Sequence, residues 1–330
     1  MSQKPPRHNL IYRAAARVSP ARVDLPGAIR LSPWDIWQKT NGAQVRDISR
    51  ELPVLIAGPT ASGKSALAME IAARDGRVVV NADALQVYGC WRILSARPSP
   101  ADEAQLPHAL YGHVGRDTVY SVGHWLREVA PLLNQPVVIV GGTGLYFTAL
   151  TQGLAPVPDV APAVRATADA RRLAGDLAGL VAELDAATAA RIDLQNPARV
   201  QRAWEVLHTT GQGLAAWQAQ DTQPLLPLSG VTAVVMRPSV EWLNARIDQR
   251  FAAMLAQGAL DEVRAELPTW VADRPSARAI GAPELVAYLR DETDLASATT
   301  AATLATRQYA KRQRTWLRNR MADWTAVVPG

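Results

Sequence analysis

A chain of 330 residues with 48% hydrophobic content is long enough for one large core and a smaller appended unit. Its single cysteine, Cys90, excludes an internal disulfide and a cysteine-based zinc site and fits a reducing, cytoplasmic setting, while no apolar run approaches the roughly 18 residues of a membrane helix. The net charge of +5 is a weak nucleic-acid signal, because residues 1–50 hold nine Lys or Arg against only Asp24, Asp35 and Asp47, so the rest of the chain is close to neutral.

Those first 50 residues lack a regular amphipathic run and carry Pro5, Pro6, Pro20, Pro26 and Pro33. A disordered extension or a mis-placed start is expected there, with an organellar address as the alternative. "LPVLIA" (Leu52 to Ala57) then reads as a strand buried on both faces, "SALAMEIAAR" as a helix ending at Asp75-Gly76, and "RVVVNAD" as a second buried strand. That is a parallel α/β unit. "VGHWLREVAPLL" predicts a helix, "PVVIVGG" (Pro136 to Gly142) a third strand, and "TGLYFTAL" the opening of another helix.

Residues 155–217 are alanine-rich with no strand pattern and predict a helical insertion. "VTAVVMRP" resumes the sheet, followed by a long helical region from Val240 to Leu267 and a final helix from about Thr300 to Arg320. The expected fold is α/β: a P-loop NTPase-like parallel sheet flanked by helices, made of 51–154 and 218–330, with the inserted helical domain between.

Gly58, Pro59, Thr60, Ala61, Ser62, Gly63, Lys64 and Ser65 satisfy G-x-x-x-x-G-K-[ST] between a predicted strand and a predicted helix. Loop amides, the helix N-terminus and the Lys64 ammonium suit a di- or triphosphate, and the Ser65 hydroxyl is placed to touch Mg²⁺. A nucleoside triphosphate such as ATP is the commonest ligand of such a loop, but any diphosphate with magnesium fits.

"NADALQVY" puts Asp83 at the carboxyl end of the second strand, as a magnesium ligand or a proton acceptor, and "VGGTGLY" puts Thr143 at the end of the third. Gly141, Gly142 and Gly144 read as room for close ligand approach. Near the C-terminus Arg307, Lys311, Arg314 and Arg318 fall at i, i+4, i+7 and i+11, one helical stripe suited to RNA phosphates.

GPTASGKS, D-[SA]-x-Q-x-Y and VGGTxLY, in this order and spacing, resemble the tRNA dimethylallyltransferase (isopentenyl diphosphate:tRNA transferase) family. "RIDQRFAAMLAQGALDEVRAEL", "PSARAIG", "ATRQYAKRQRTWLR" and "NPARVQRAWEVLHTTG" resemble its further blocks, from about Leu52 to Arg320. The resemblance implies transfer of a dimethylallyl group from dimethylallyl diphosphate to N6 of adenosine 37 beside the anticodon, by a monomer. The base must be flipped out of the loop to be reached. Asp83 is then the candidate general base, Thr143 stands beside it, and Arg278 of "PSAR" reaches the donor from the far side. Contacts to tRNA are implied for Asp83, Ala84, Leu85, Gln86 and Thr143, for Arg165, Ala198, Arg199, Val200, Gln201 and Arg202 of the insertion, and for Arg307, Lys311 and Arg314.

The sequence departs from the family in two stretches. Gly89 to Pro98 reads "GCWRILSARP", losing an acid while Arg97 keeps a cation, and Gly281-Ala282-Pro283 loses an aromatic and a basic group. Rival readings are prenylation of free AMP or ADP, phosphoryl transfer from ATP, and RNA binding without catalysis.

Overall fold

The computed structural model describes residues 48–329. The expectation for 1–50 therefore falls outside the described residues, its last three excepted. Six parallel strands form one sheet in the order β3-β2-β4-β1-β5-β6. They are β1 Val54–Ala57, β2 Val78–Asn81, β3 His108–Ala109, β4 Val137–Gly141, β5 Thr232–Met236 and β6 Thr325–Val327. β1 lies centrally, Leu55 opposite Ile139 of β4 and Ala233 of β5.

Because side chains alternate along a strand, each strand feeds two cores. Val54, Ile56, Val138 and Val140 pack against Leu67 and Ile71 of α1 (Lys64–Asp75). Leu55, Val80, Ile139 and Val235 face the other way, onto Trp125 of α3 (Val122–Val129) and Phe147 and Leu150 of α4 (Gly144–Gln152). Between β2 and α3, the short α2 (Pro100–Gln105) is opened by a Ser99–Asp102 capping box, and Ser121 opens α3 in the same way with His124.

From Pro162 to Gln218 the chain is helical: α5 Pro162–Leu173, α6 Leu177–Ala182, α7 Ala186–Ala189, α8 Pro197–Thr210 and α9 Leu214–Gln218. Ala168, Leu180, Val200 and Trp204 form a core of their own. After β5 come α10 (Val240–Ala256), α11 (Ala259–Glu266), α12 (Ala282–Leu289) and α13 (Leu295–Arg320).

The helical region expected from Val240 to Leu267 consists of two helices parted at Gly258, whose φ of 101° is left-handed and ends one and starts the next. Two expectations are corrected here. The helix read from "VGHWLREVAPLL" ends at Val129 and tightens into a 3₁₀ turn at Ala130–Asn134, where Pro131 cannot donate to the helical ladder. The last helix starts at Leu295 rather than Thr300, because Asp294 caps it by accepting from the Ser297 N–H.

Candidate active site

The loop from Gly58 to Ser65 leaves β1 and runs into the N-terminus of α1. Ala61 at φ 63° and Gly63 at φ 87° adopt left-handed conformations that give the loop its tight turn, and the Ser62 N–H closes that turn on the Pro59 carbonyl at 3.2 Å. Arg246 and Arg250 of α10 brace this loop from above: Arg246 Nε donates to the Ala61 carbonyl at 3.1 Å, and Arg250 Nη1 to Thr60 Oγ1 at 3.2 Å. Lys64 Nζ donates to the Pro59 carbonyl at 3.2 Å.

Beside the loop lies a cavity of about 470 Å³ whose wall includes Lys64, Ser65, Asp83, Gln86, Arg246 and Arg250. Its field is built from buried charge. Burial lowers the Lys64 pKa to about 8; the Asp83 carboxylate acts against that shift and the Arg250 guanidinium adds to it. Burial also pushes Arg250 below the usual guanidinium range, again with Asp83 opposing. Burial likewise lowers the Arg246 pKa, so three cations on the cavity wall are partly desolvated, and an anion bound there would favour their charged forms. Ser62 Oγ, fully buried in the same loop, has no hydrogen-bond partner among the described residues.

Asp83 is 7% exposed and its backbone is clamped by one residue, Asn81, which accepts from the Asp83 N–H at 2.8 Å and donates to the Asp83 carbonyl at 3.0 Å. Trp125 Nε1 in turn donates to the Asn81 carbonyl at 2.7 Å, a bond a phenylalanine could not make. Asp83 Oδ1 accepts from the Leu85 N–H at 3.0 Å; Oδ2 has no hydrogen-bond partner among the described residues. Thr143 Oγ1 accepts from the Ala84 N–H at 2.9 Å, tying the β4 end to the β2 end. Gln86 Nε2 is spent on the Ser95 and Ala96 carbonyls, so its side chain holds the 89–98 segment.

That divergent segment is held from a second side. Glu262 of α11 accepts from the N–H groups of Arg92, Ile93 and Leu94 at 2.5, 3.0 and 2.9 Å, and Trp91 Nε1 donates to the Ser276 carbonyl at 2.8 Å. Arg97 spends Nη1 on the Tyr88 and Gly89 carbonyls and is absent from the lining of the cavity beside the phosphate loop.

The glycines of "VGGTG" do a different job from the one read in the sequence. A methyl group at Gly141 would overlap the Ala82 carbonyl, one at Gly142 the Gln313 amide, and one at Gly144 the Trp316 indole. The space is filled by α13 and the β2 end rather than left for a ligand. Since the Ala82 obstacle is backbone, Gly141→Ala is expected to destabilise the chain by about 3 kcal/mol, read as a lower midpoint in urea unfolding.

The other expected site residues are scattered. Arg278 is exposed on a 3₁₀ turn and does not line the cavity; Arg246 and Arg250 supply the extra cations there instead. Both lie in a segment that resembles the family, but a helical period alone places such arginines on a solvent face. Val200 is fully buried in the insertion core, so its side chain is no RNA contact. Ala198 and Arg199 are exposed, while Arg165 and Arg202 flank the buried Glu205 at 3.6 and 3.9 Å and Gln201 bonds Asp169 and Glu205. On α13, Lys311 is exposed, Arg314 half-buried, and Arg307 pairs with Asp248 at 2.5 Å.

Residues 86–320 match the family model described as IPP transferase, and residues 53–108 the one described as isopentenyl transferase. The chain belongs to the IPP transferase family. A relative called tRNA dimethylallyltransferase from Cereibacter sphaeroides (strain KD131) is 68% identical over 86% of this chain and 91% of its own length. Another of that name from Dinoroseobacter shibae is 64% identical over 86% and 97%. Among solved structures, a full-length tRNA isopentenylpyrophosphate transferase from Bacillus halodurans is similar at TM-score 0.59 and 28% identity, covering 84% of this chain and 90% of its own. The IPP transferase match takes in the divergent stretches at 89–98 and 281–283, so neither removes the chain from the family.

Proposed function

We propose that this protein transfers the dimethylallyl group of dimethylallyl diphosphate to N6 of adenosine 37 in tRNA, releasing diphosphate. The observation that carries this reading is a single cavity with a phosphate-type loop and Lys64 on one wall and the Asp83 carboxylate on another. In the transfer, the N6–C1 bond forms as the C1–O bond to diphosphate breaks. The exocyclic amine is a poor nucleophile, its lone pair being delocalised into the purine, and Asp83 takes its proton at Oδ2, the oxygen without a partner. Lys64, Arg250 and the loop amides receive the charge that gathers on the departing diphosphate.

Magnesium suits this donor set. No cluster of three or more metal-binding side chains occurs among the described residues, and Mg²⁺ is ordinarily held by one or two protein oxygens together with substrate phosphates. The Ser65 hydroxyl, exposed at the start of α1 on the cavity wall, would hold it, and the ion would neutralise diphosphate charge. Lys311 and Arg314 of α13 and Arg199 of α8 grip the anticodon stem-loop through its phosphates. The protein works as a cytoplasmic monomer; none of its described helices is long and apolar enough to cross a membrane.

The test is incubation of the purified chain with Mg²⁺, dimethylallyl diphosphate and an anticodon stem-loop, followed by nucleoside mass spectrometry. N6-prenyladenosine is expected with the stem-loop and not with AMP. ATP consumption matched to a phosphorylated product, with no prenylated nucleoside, would sink the reading.

A further inference from the structure

Gln313 lies in the C-terminal third of α13 and is 6% exposed. Its two amide ends serve different elements. Oε1 accepts from the Thr60 N–H of the phosphate loop at 2.8 Å, and Nε2 donates to the Gly142 carbonyl at the end of β4 at 3.0 Å. Thr60 needs an acceptor and Gly142 needs a donor, so only one orientation of the amide satisfies both. Gly142 has no side chain where this amide sits, and the same spot faces Asp83 Oδ2. One side chain thus fastens the loop to the strand end that carries the acceptor machinery.

The helix that supplies it also carries the basic stripe. At about 100° per residue, Gln313 lies roughly 130° around α13 from the line of Arg307, Lys311, Arg314 and Arg318. Ala310 and Leu317 flank Gln313 on the buried face. Ala310 of the same helix packs in one apolar cluster with Ala61 of the loop, so α13 meets the phosphate loop through that contact and, as its polar link, through the Gln313 amide.

We propose that Gln313 is a positioning residue through which tRNA engagement on α13 sets the phosphate loop for its donor. The inference rests on the reading of the site as a tRNA prenyltransferase. Gln313 touches no reacting atom. By thermodynamic reciprocity, RNA and diphosphate must each tighten the other's binding by the same factor.

The test uses the full chain, Mg²⁺ and inorganic pyrophosphate, titrated calorimetrically with and without an anticodon stem-loop RNA. The wild type is expected to bind pyrophosphate about tenfold more tightly when the stem-loop is present. Gln313→Met keeps the length and removes both bonds. It is expected to bring that factor to within about twofold of one and to raise KM for dimethylallyl diphosphate about tenfold, with kcat within about threefold and stem-loop affinity kept. Gln313→Glu keeps the Thr60 acceptor but sets a carboxylate against the Gly142 carbonyl; it is expected to lose the coupling too, and it carries the test should the methionine variant not fold. Coupling preserved in either folded variant, or kcat falling in step with RNA affinity, overturns the inference. A wild type that binds both ligands without coupling overturns it alone, whereas one that binds pyrophosphate but no stem-loop overturns the tRNA reading with it.

Discussion

Asp83→Asn is expected to lower kcat by about 10²- to 10⁴-fold, the usual worth of a general base, while stem-loop affinity stays within about twofold. The substitution isolates basicity from shape. Asparagine keeps an oxygen for the Leu85 N–H, and the Asn81 clamp bears on the backbone of residue 83 rather than its side chain, so the local fold is preserved. What is lost is the acceptor at Oδ2 and a negative charge. That charge now opposes the burial shift of Lys64. In the variant the Lys64 pKa should therefore fall further below about 8, and donor affinity should begin to weaken at a lower pH than in the wild type. Single-turnover measurements at pH 6.5, where Lys64 stays charged, separate the two effects. A chemical step within about threefold of wild type there would remove Asp83 from the proton transfer.

Which parts of this protein were legible in its sequence follows from how far each feature reaches along the chain. β1, β2, β4 and β5 are near-continuous apolar runs because they are buried on both faces, and each was readable locally. β3 and β6 span two and three residues at the sheet edges and exist only through pairing with β2 and β5. Their sequences, His-Ala and Thr-Ala-Val, carry no pattern of their own. The phosphate loop was legible because its function is its backbone, and backbone demands leave glycines at fixed spacing.

Arg246, Arg250 and Gln313 were not assigned roles because theirs are tertiary. A charged residue every fourth position of a helix looks like a solvated face until α10 is seen to lie over the loop. The glycines after β4 were visible, but their reason was not: the sequence shows that side chains are absent, not that Gln313 and Trp316 fill the space. Glu262 is the same case, lying about 170 residues from the amides it holds.

Lys64→Met should raise KM for dimethylallyl diphosphate by about 10²-fold and lower kcat as well, because a charge-assisted contact to a buried anion is among the strongest a site can offer and strengthens as the diphosphate departs. Lys64 is also expected to give the wild type a pH signature. Its pKa of about 8 in the free chain means that the ammonium is lost as pH rises through that value, whereas an ordinary lysine keeps its proton to about 10.5. Donor diphosphate favours the charged form and raises this pKa, so binding at pH 8.5 should take up a proton, seen as a dependence of calorimetric heat on buffer ionisation enthalpy. Stability moves in the opposite sense. Between about pH 8 and 10.5 the unfolded chain holds more protons at this lysine than the folded one, so the contribution of Lys64 to folding stability rises with pH across that window and is flat below it. Lys64→Met should abolish both the proton uptake and this part of the stability profile. Proton uptake at pH 8.5 that survives in the methionine variant would assign the titration to another group and leave Lys64 as a charge unaltered by its burial.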